Sequence, residues 1–363
     1  MWIITGASGF IGSQMISYLN QMGITQILAV DDIPMNQRSQ TTQGLKIFKE
    51  VYTHDLWNYL QTHQAEAVKW VIHMGAISST TETDWEKLKK QNLDYTKKLW
   101  TWCSQNQVPM VYASSAATYG DGQKGYSDET HPSELKALNL YGESKRLFDL
   151  WALEQKVTPP HWYGLKFFNV YGPGEYHKEA MASVVFKAYH QILKNGYLEL
   201  FKSYRDDFKD GEQMRDFVYV KDITSWIFEL TQKKPKSQIF NMGYGTPRTW
   251  LDLGNSVFKA LGQTPDIRFI EMPLSIRDQY QYYTKASTTK WLAQGLSAPQ
   301  WDLENGVADY IKTLQANNQT EQQPSQSTDQ PQLQLQPQLQ PQTQLQTQSH
   351  LQSQSPSQPQ KQR

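Results

Sequence analysis

Trp2-Ile3-Ile4-Thr5-Gly6-Ala7-Ser8-Gly9-Phe10-Ile11-Gly12 decides the fold of this chain. Trp2 to Thr5 reads as a buried strand, and the glycines that follow open a helix. Glycine at 6, 9 and 12 allows a tight turn and lets backbone approach a pyrophosphate, whose charge then rests at the helix N-terminus. The spacing is Gly-x-x-Gly-x-x-Gly, and its place directly after an N-terminal strand makes Gly6, Gly9, Phe10, Ile11 and Gly12 candidates for holding a dinucleotide.

Outward from this turn, a second strand at Gln26–Val30 leads to Asp31-Asp32, about 20 residues beyond Gly12, where a carboxylate accepts hydrogen bonds from the adenosine ribose. Such an acid disfavours a 2′-phosphate, whereas Arg38 in the next loop can pair with one. NADP and NAD are both compatible with that pair. The strand Val68–His73 runs into Met74-Gly75-Ala76-Ile77-Ser78-Ser79, small residues that let a flat cofactor cross the sheet edge. Asn92, on the following helix, is a candidate central hydrogen-bonding group.

Further strands are predicted at Val108–Ala113 and Trp162–Phe168, with helices near Ile11–Met22, Asp84–Gln105 and Tyr141–Gln155. This βαβ rhythm predicts an α/β fold, a doubly wound parallel sheet of the Rossmann type covered on both faces. Helices at Met181–Lys194 and Leu251–Leu261, with strands at Phe217–Val220, Ile239–Met242 and Ile267–Ile270, predict a smaller C-terminal α/β lobe for substrate. The expected division is 1–168 for the dinucleotide domain, with about 217–240 returning to it, 169–314 for the lobe, and a tail at 315–363.

Composition narrows the partners. The formal charge of the 363 residues is zero, so no global field draws the chain to nucleic acid or an anionic membrane. One cysteine, Cys103, and eight scattered histidines argue against a disulfide framework and a structural zinc site. No basic leader precedes Trp2 and no apolar run reaches membrane-spanning length, which predicts a soluble cytoplasmic protein. From Gln315 onward Gln, Pro, Ser and Thr dominate, a composition expected to stay disordered. The alternation of Leu and Gln there also suits β-type association.

The chemistry concentrates in Ala113-Ser114-Ser115-Ala116-Ala117-Thr118-Tyr119-Gly120 and, further on, Tyr141-Gly142-Glu143-Ser144-Lys145. A helix puts Tyr141 and Lys145 on one face, a turn apart. A tyrosine of pKa about 10 is phenolate in about one molecule per thousand at neutral pH. Lowering it by about three units takes about 4 kcal/mol of differential stabilisation, and Lys145 and the cofactor's nicotinamide charge are the candidate cations. Ser115, at a strand end, can hydrogen-bond the same substrate oxygen.

Together these residues resemble the extended short-chain dehydrogenase/reductase superfamily. Within it, Lys166-Phe167-Phe168-Asn169-Val170-Tyr171-Gly172-Pro173-Gly174-Glu175-Tyr176-His177-Lys178 and Met181-Ala182-Ser183 resemble the ADP-L-glycero-D-manno-heptose 6-epimerases, as do Ser78 to Glu82, Ser114 to Gly120 and Arg215 to Val220. The resemblance covers residues 1 to about 314. It implies a tightly held NADP, an ADP-heptose substrate of lipopolysaccharide core synthesis and a homo-oligomer. It implies Tyr141 and Lys178 as the two acid/base groups, with Lys145 orienting cofactor and phenol, and cofactor contacts that extend to Val170 and Lys178. Ser79, Ser115, Asn169, Ala180, Lys187, Phe201, Arg215 and Tyr280 fall where the family contacts substrate.

Three features depart from the family pattern: Ala180 where serine is frequent, Lys187 where histidine is usual, and a longer charged loop at 202–214. Dehydration by a 4,6-dehydratase calls for an Asp-Glu pair after the serine, and this chain has Ala116-Ala117. A 4-epimerase shares the fold and the triad. A non-catalytic dinucleotide-binding scaffold has no use for Ser115, Tyr141 and Lys145 together.

Overall fold

Alternation along short strands builds the two sides of the molecule's main sheet. The computed structural model describes residues 1–62, 67–277 and 280–321, apart from the side chains of 179, 180, 275, 276 and 319–321. In chain order its strands are β1 (Trp2–Thr5), β2 (Ile27–Asp31), β3 (Lys49–Tyr52), β4 (Trp70–His73), β5 (Met110–Ser115), β6 (Trp162–Phe167), β7 (Asn169–Tyr171), β8 (Leu198–Phe201), β9 (Met214–Arg215), β10 (Phe217–Tyr219), β11 (Gln238–Met242), β12 (Arg248–Thr249) and β13 (Ile267–Ile270). Seven form one parallel sheet in the order β3-β2-β1-β4-β5-β6-β11.

Trp2, Ile4, Ala29, Ile72 and Val111 enter one core with the helices Phe10–Gln21 and Val220–Lys233. Ile3, Leu28, Val71, Met110 and Tyr112 enter the other, beneath Trp100 and Phe148. The sheet is therefore covered on both faces, as the apolar strands require. Strand order reverses between β1 and β4, and in such sheets the crevice at the carboxyl ends of those strands is where ligands bind.

A third core lies among the helices Val184–Asn195, Trp250–Leu261 and Leu303–Glu321, around Tyr189, Val257 and Tyr310. Small two-stranded sheets, β7 with β10, β8 with β13 and β9 with β12, accompany it. Thr249 and Asp252 form a reciprocal capping box at the start of one of these helices, and Gly262 ends it in the left-handed region.

Several elements differ from the sequence expectations. β3 is an edge strand whose Lys49, Glu50 and Tyr52 are exposed, so it lacks the apolar run by which a strand is recognised. Val220 opens a helix rather than ending a strand. The stretch expected as one helix from Asp84 contains a π turn at Lys89–Asp94, and Met181 belongs to a 3-10 turn, Tyr176–Met181, before the helix capped by Ser183. The last helix runs to Glu321, past the expected tail boundary, and residues 322–363 of that tail lie outside the described residues. Among the described residues no helix is long and apolar enough to cross a membrane.

Candidate active site

The turn after β1 closes through Gly9 N–H donating to the Gly6 carbonyl at 3.0 Å. Gly6 has φ +66°, and a Cβ there would lie 2.6 Å from the Gly75 nitrogen. At Gly12 a Cβ would lie 2.0 Å from the Gly6 oxygen. Gly9 caps the helix Phe10–Gln21 without a side-chain hydrogen bond, which leaves the helix's first N–H groups without a side-chain cap at a terminus suited to an anion. Phe10 and Gly12 are buried and Ile11 half-buried beside it. Gly6→Ala is expected to cost about 2–4 kcal/mol, from a disfavoured backbone conformation plus overpacking. Urea denaturation would show it as a lowered midpoint, and an unchanged midpoint would refute the close approach.

At the end of β2, Asp31 accepts the N–H groups of Ser8 and Ile33, each at 3.0 Å. Its first task is thus to fasten the glycine turn to the next loop. Asp32 is exposed, and half-buried Arg38 donates to the Ser8 carbonyl at 3.2 Å. Across the crevice, Met74 N–H bonds to Thr5 O at 3.1 Å, and Gly75 N–H to the Thr5 hydroxyl at 3.1 Å.

That hydroxyl also meets His73 Nδ1 at 2.6 Å, and His73 Nε2 meets the Thr96 hydroxyl at 2.9 Å. Thr96 donates its proton to the Asn92 carbonyl at 2.6 Å, so His73 must carry hydrogen on Nε2 and accept at Nδ1. Burial holds His73 neutral, with its pKa down to about 3. Asn92, in the π turn, binds Ile77 through both its amide groups, at 2.9 and 3.0 Å, and reaches the Ser144 hydroxyl at 3.1 Å. Ala76 and Ile77 are half-buried and Ser78 is exposed. Ser79 hydrogen-bonds Thr81 at 2.8 Å.

Ser115 and Tyr141 are brought together from two elements. Ser115 ends β5 and its hydroxyl caps the turn Ala116–Tyr119, accepting from Ala117 N–H at 3.1 Å. The helix Leu140–Glu154 starts against that turn, with Asn139 accepting from Gly142 N–H at 2.8 Å. A Cβ at Gly142 would sit 2.7 Å from the Ala117 oxygen, so glycine there lets the first helical turn bring Tyr141 near the Ser115 hydroxyl, which acts on the phenol's pKa.

Lys145, buried, donates to the Ala113 carbonyl at 2.9 Å. Burial drives its pKa down to about 8 against the opposing charge of Asp149. The phenol corrects one expectation. Burial raises its pKa, and the Ser115 hydroxyl, rather than the Lys145 ammonium, opposes that rise. Lys145 is fastened to β5, a direction its spacing from Tyr141 does not reveal.

After β7 the chain passes over the first helix: a Cβ at Gly174 would lie 3.1 Å from Gln14 Nε2. Lys178 follows, its ammonium 5.3 Å from the centre of the Phe10 ring, beside the glycine turn. Burial lowers its pKa and Glu175 counters. Glu175, itself buried, is held by Ser183 through hydroxyl and amide and by Gly172 N–H. Ala180 is in the same 3-10 turn, but its side chain lies outside the described residues. Val170 pairs with Val218 between β7 and β10.

The remaining predicted substrate residues divide. Arg215, Tyr280 and Phe201 come together: the Arg215 guanidinium is 5.1 Å from the Tyr280 ring and 5.5 Å from Trp250, and Phe201 meets Tyr280 edge-on at 6.5 Å. Trp250, missed from sequence, also donates to the Tyr280 hydroxyl at 2.8 Å. Arg215 is buried with its NH1 group on the Met214 carbonyl and no carboxylate partner among the described residues. Asn169 is exposed at the start of β7, and Lys187 is exposed on the helix Val184–Asn195, its pKa lowered by burial of the ammonium.

A glycine turn at a strand-order reversal, with a Ser–Tyr pair and a buried lysine at the neighbouring strand end, defines a dinucleotide-dependent enzyme of the short-chain type. Residues 2–243 match the model of the NAD dependent epimerase/dehydratase family, and the chain belongs to that family. More particularly, it is 44% identical over 326 residues to the ADP-L-glycero-D-manno-heptose-6-epimerase of Fusobacterium nucleatum, covering 87% of this chain and 98% of that one. It is 42% identical to the protein of the same name from Nitratidesulfovibrio vulgaris, covering 86% and 97%. The crystal structure of the Helicobacter pylori ADP-L-glycero-D-manno-heptose-6-epimerase superimposes with a TM-score of 0.73 at 26% identity, over 87% of this chain and 96% of that one.

Proposed function

We propose that the chain inverts C6 of ADP-D-glycero-D-manno-heptose to give ADP-L-glycero-D-manno-heptose, a precursor of lipopolysaccharide core. The observation that carries this is the meeting of Ser115, Tyr141 and buried Lys145 where β5 ends and the helix Leu140–Glu154 begins, with Lys178 held over the glycine turn. A simple dehydrogenase needs one proton-transfer group, whereas inversion can use a second on the opposite face of the carbon, the place Lys178 would fill.

The open helix N-terminus and close-packed glycines suit a dinucleotide pyrophosphate, with Asp31 and Arg38 at the adenosine end and Lys145 at the nicotinamide end. A dinucleotide held there would supply hydride acceptance and return at C6. The residues then have separate tasks. Tyr141, beside Ser115, exchanges a proton with the C6 hydroxyl. Lys145 holds positive charge near that oxygen. Lys178 exchanges the proton when the opposite face is used. Arg215, buried without a carboxylate, suits the substrate diphosphate, a dianion that would meet its remaining N–H groups. No net oxidation results, and the stereochemistry is lost in a ketone.

NADP is the proposed form. Both oxygens of Asp31 are engaged by backbone N–H groups, and Arg38 stands beside them to receive a 2′-phosphate. The same reading carries a homo-oligomer and a reaction in the cytoplasm, where nucleotide-linked sugars and dinucleotides are made. Incubation with ADP-D-glycero-D-manno-heptose, followed at C6 by NMR, is expected to yield both epimers, and mass spectrometry of the copurified dinucleotide to show NADP. An unchanged heptose, with uridine-linked hexoses inverted at C4 instead, would overturn the substrate assignment.

A further inference from the structure

Beneath the reactive group lies a buried charge cluster that the reaction as described does not use. Tyr141, Lys145 and Asp149 follow one another at four-residue steps on one stripe of the helix Leu140–Glu154. Asp149 is fully buried, and so is Lys166 of β6, whose ammonium lies 3.4 Å from the Asp149 carboxylate. The Ser114 hydroxyl donates to Asp149 at 2.7 Å and the Tyr112 hydroxyl at 3.2 Å. Lys166 donates to the Thr118 hydroxyl at 2.8 Å and lies 4.5 Å from the centre of the Tyr119 ring. Thr118 in turn donates to the Ser115 carbonyl at 2.8 Å.

We infer that Asp149, anchored by Lys166, is a positioning residue of this site, a buried counter-charge one helical turn from Lys145 that ties their helix to the strand end carrying Ser115. A buried ion pair rarely stabilises more than well-packed apolar residues would, so fold stability alone does not account for its presence. The arrangement does not neutralise itself: Asp149 is the one carboxylate set against two buried lysines, Lys145 and Lys166.

The groups facing Lys145 allow the sign to be worked out. On its own helix is Asp149, on β5 the Ala113 carbonyl, and on β4 the neutral His73. Around Asp149 are Tyr112 and Ser114 of β5 and Lys166 of β6, beyond which stand Asp128 and Lys290. Burial favours a neutral Lys145 and Asp149 favours the charged form. Removing the carboxylate must therefore lower the pH at which Lys145 loses its proton, and activity that needs the ammonium must fail at lower pH.

This inference rests on the proposed use of Lys145, and its test does not need substrate. The full chain, labelled with carbon-13 at the lysine ε-methylenes, is titrated by NMR, with the Lys145 signal assigned by its loss in Lys145→Met. In Asp149→Asn the midpoint is expected to fall by about 1 pH unit or more, and the alkaline limb of the turnover profile to move down with it. Where that variant does not fold, Asp149→Asn combined with Lys166→Gln leaves neither charge buried alone, and the same fall is expected. An unshifted Lys145 midpoint in a folded variant overturns the inference. A wild-type chain that titrates this way but inverts no ADP-heptose would refute the proposed reaction and leave the inference standing.

Discussion

Tyr141→Phe is expected to lower the turnover of ADP-heptose by about 10³-fold, within the range that a positioned proton-transfer group contributes. The ring remains, so the first turn of the helix Leu140–Glu154 keeps its contact with the Ala117 turn, and the cap from Asn139 is untouched. What is lost is one hydroxyl beside Ser115. Folding should therefore be nearly unaffected, and the thermal midpoint should move by only a few degrees. The dinucleotide cradle is formed by backbone around Gly6 to Gly12, so copurified dinucleotide should be retained. The measurement is the rate of appearance of the second C6 epimer by NMR, with dinucleotide content and thermal midpoint as controls. Turnover within a few-fold of wild type would remove Tyr141 from the chemistry.

The same residue shows where reading the chain stops. Local motifs are legible because their meaning lies in the spacing: the glycine turn, Asp31 at the end of β2, and Tyr141 with Lys145 one turn apart are all where periodicity and turn chemistry put them. The direction of a long side chain is not legible in this way. Lys145 bonds to the Ala113 carbonyl, on a strand far away in sequence, so the group that opposes the rise in the phenol's pKa is Ser115.

Contacts between elements were hidden for the same reason. Gly142 reads as an ordinary helical glycine until the Ala117 carbonyl is seen against it. Asp149 and Lys166 each look like a solvated charge, because burial of a charged residue becomes visible only when its partner is brought alongside by the sheet. β3 was missed because an edge strand has little apolar pattern to show. Trp250 belongs to a different helix from every motif, and only the fold sets it beside Arg215.

Lys178→Met is expected to lower epimerisation by about 10²- to 10⁴-fold, since it removes the proton-transfer group assigned to one face of C6. A catalyst cannot alter the equilibrium between the epimers, so the forward and reverse kcat/KM must fall by the same factor, although Lys178 serves one face only. The methionine side chain keeps much of the apolar stem packed near Phe10, and the turn is held independently by Glu175 through Ser183 and Gly172. The local structure should therefore survive. Burial lowers the pKa of the Lys178 ammonium, which brings proton release closer to neutral pH than in an exposed lysine. Arginine cannot follow it there, because a guanidinium stays protonated in proteins. Lys178→Arg, which keeps the charge, should thus be as poor as Lys178→Met if proton exchange is the task. Recovery of most activity in Lys178→Arg would show that the charge suffices, and full activity in Lys178→Met would leave the second face of the carbon without its assigned group.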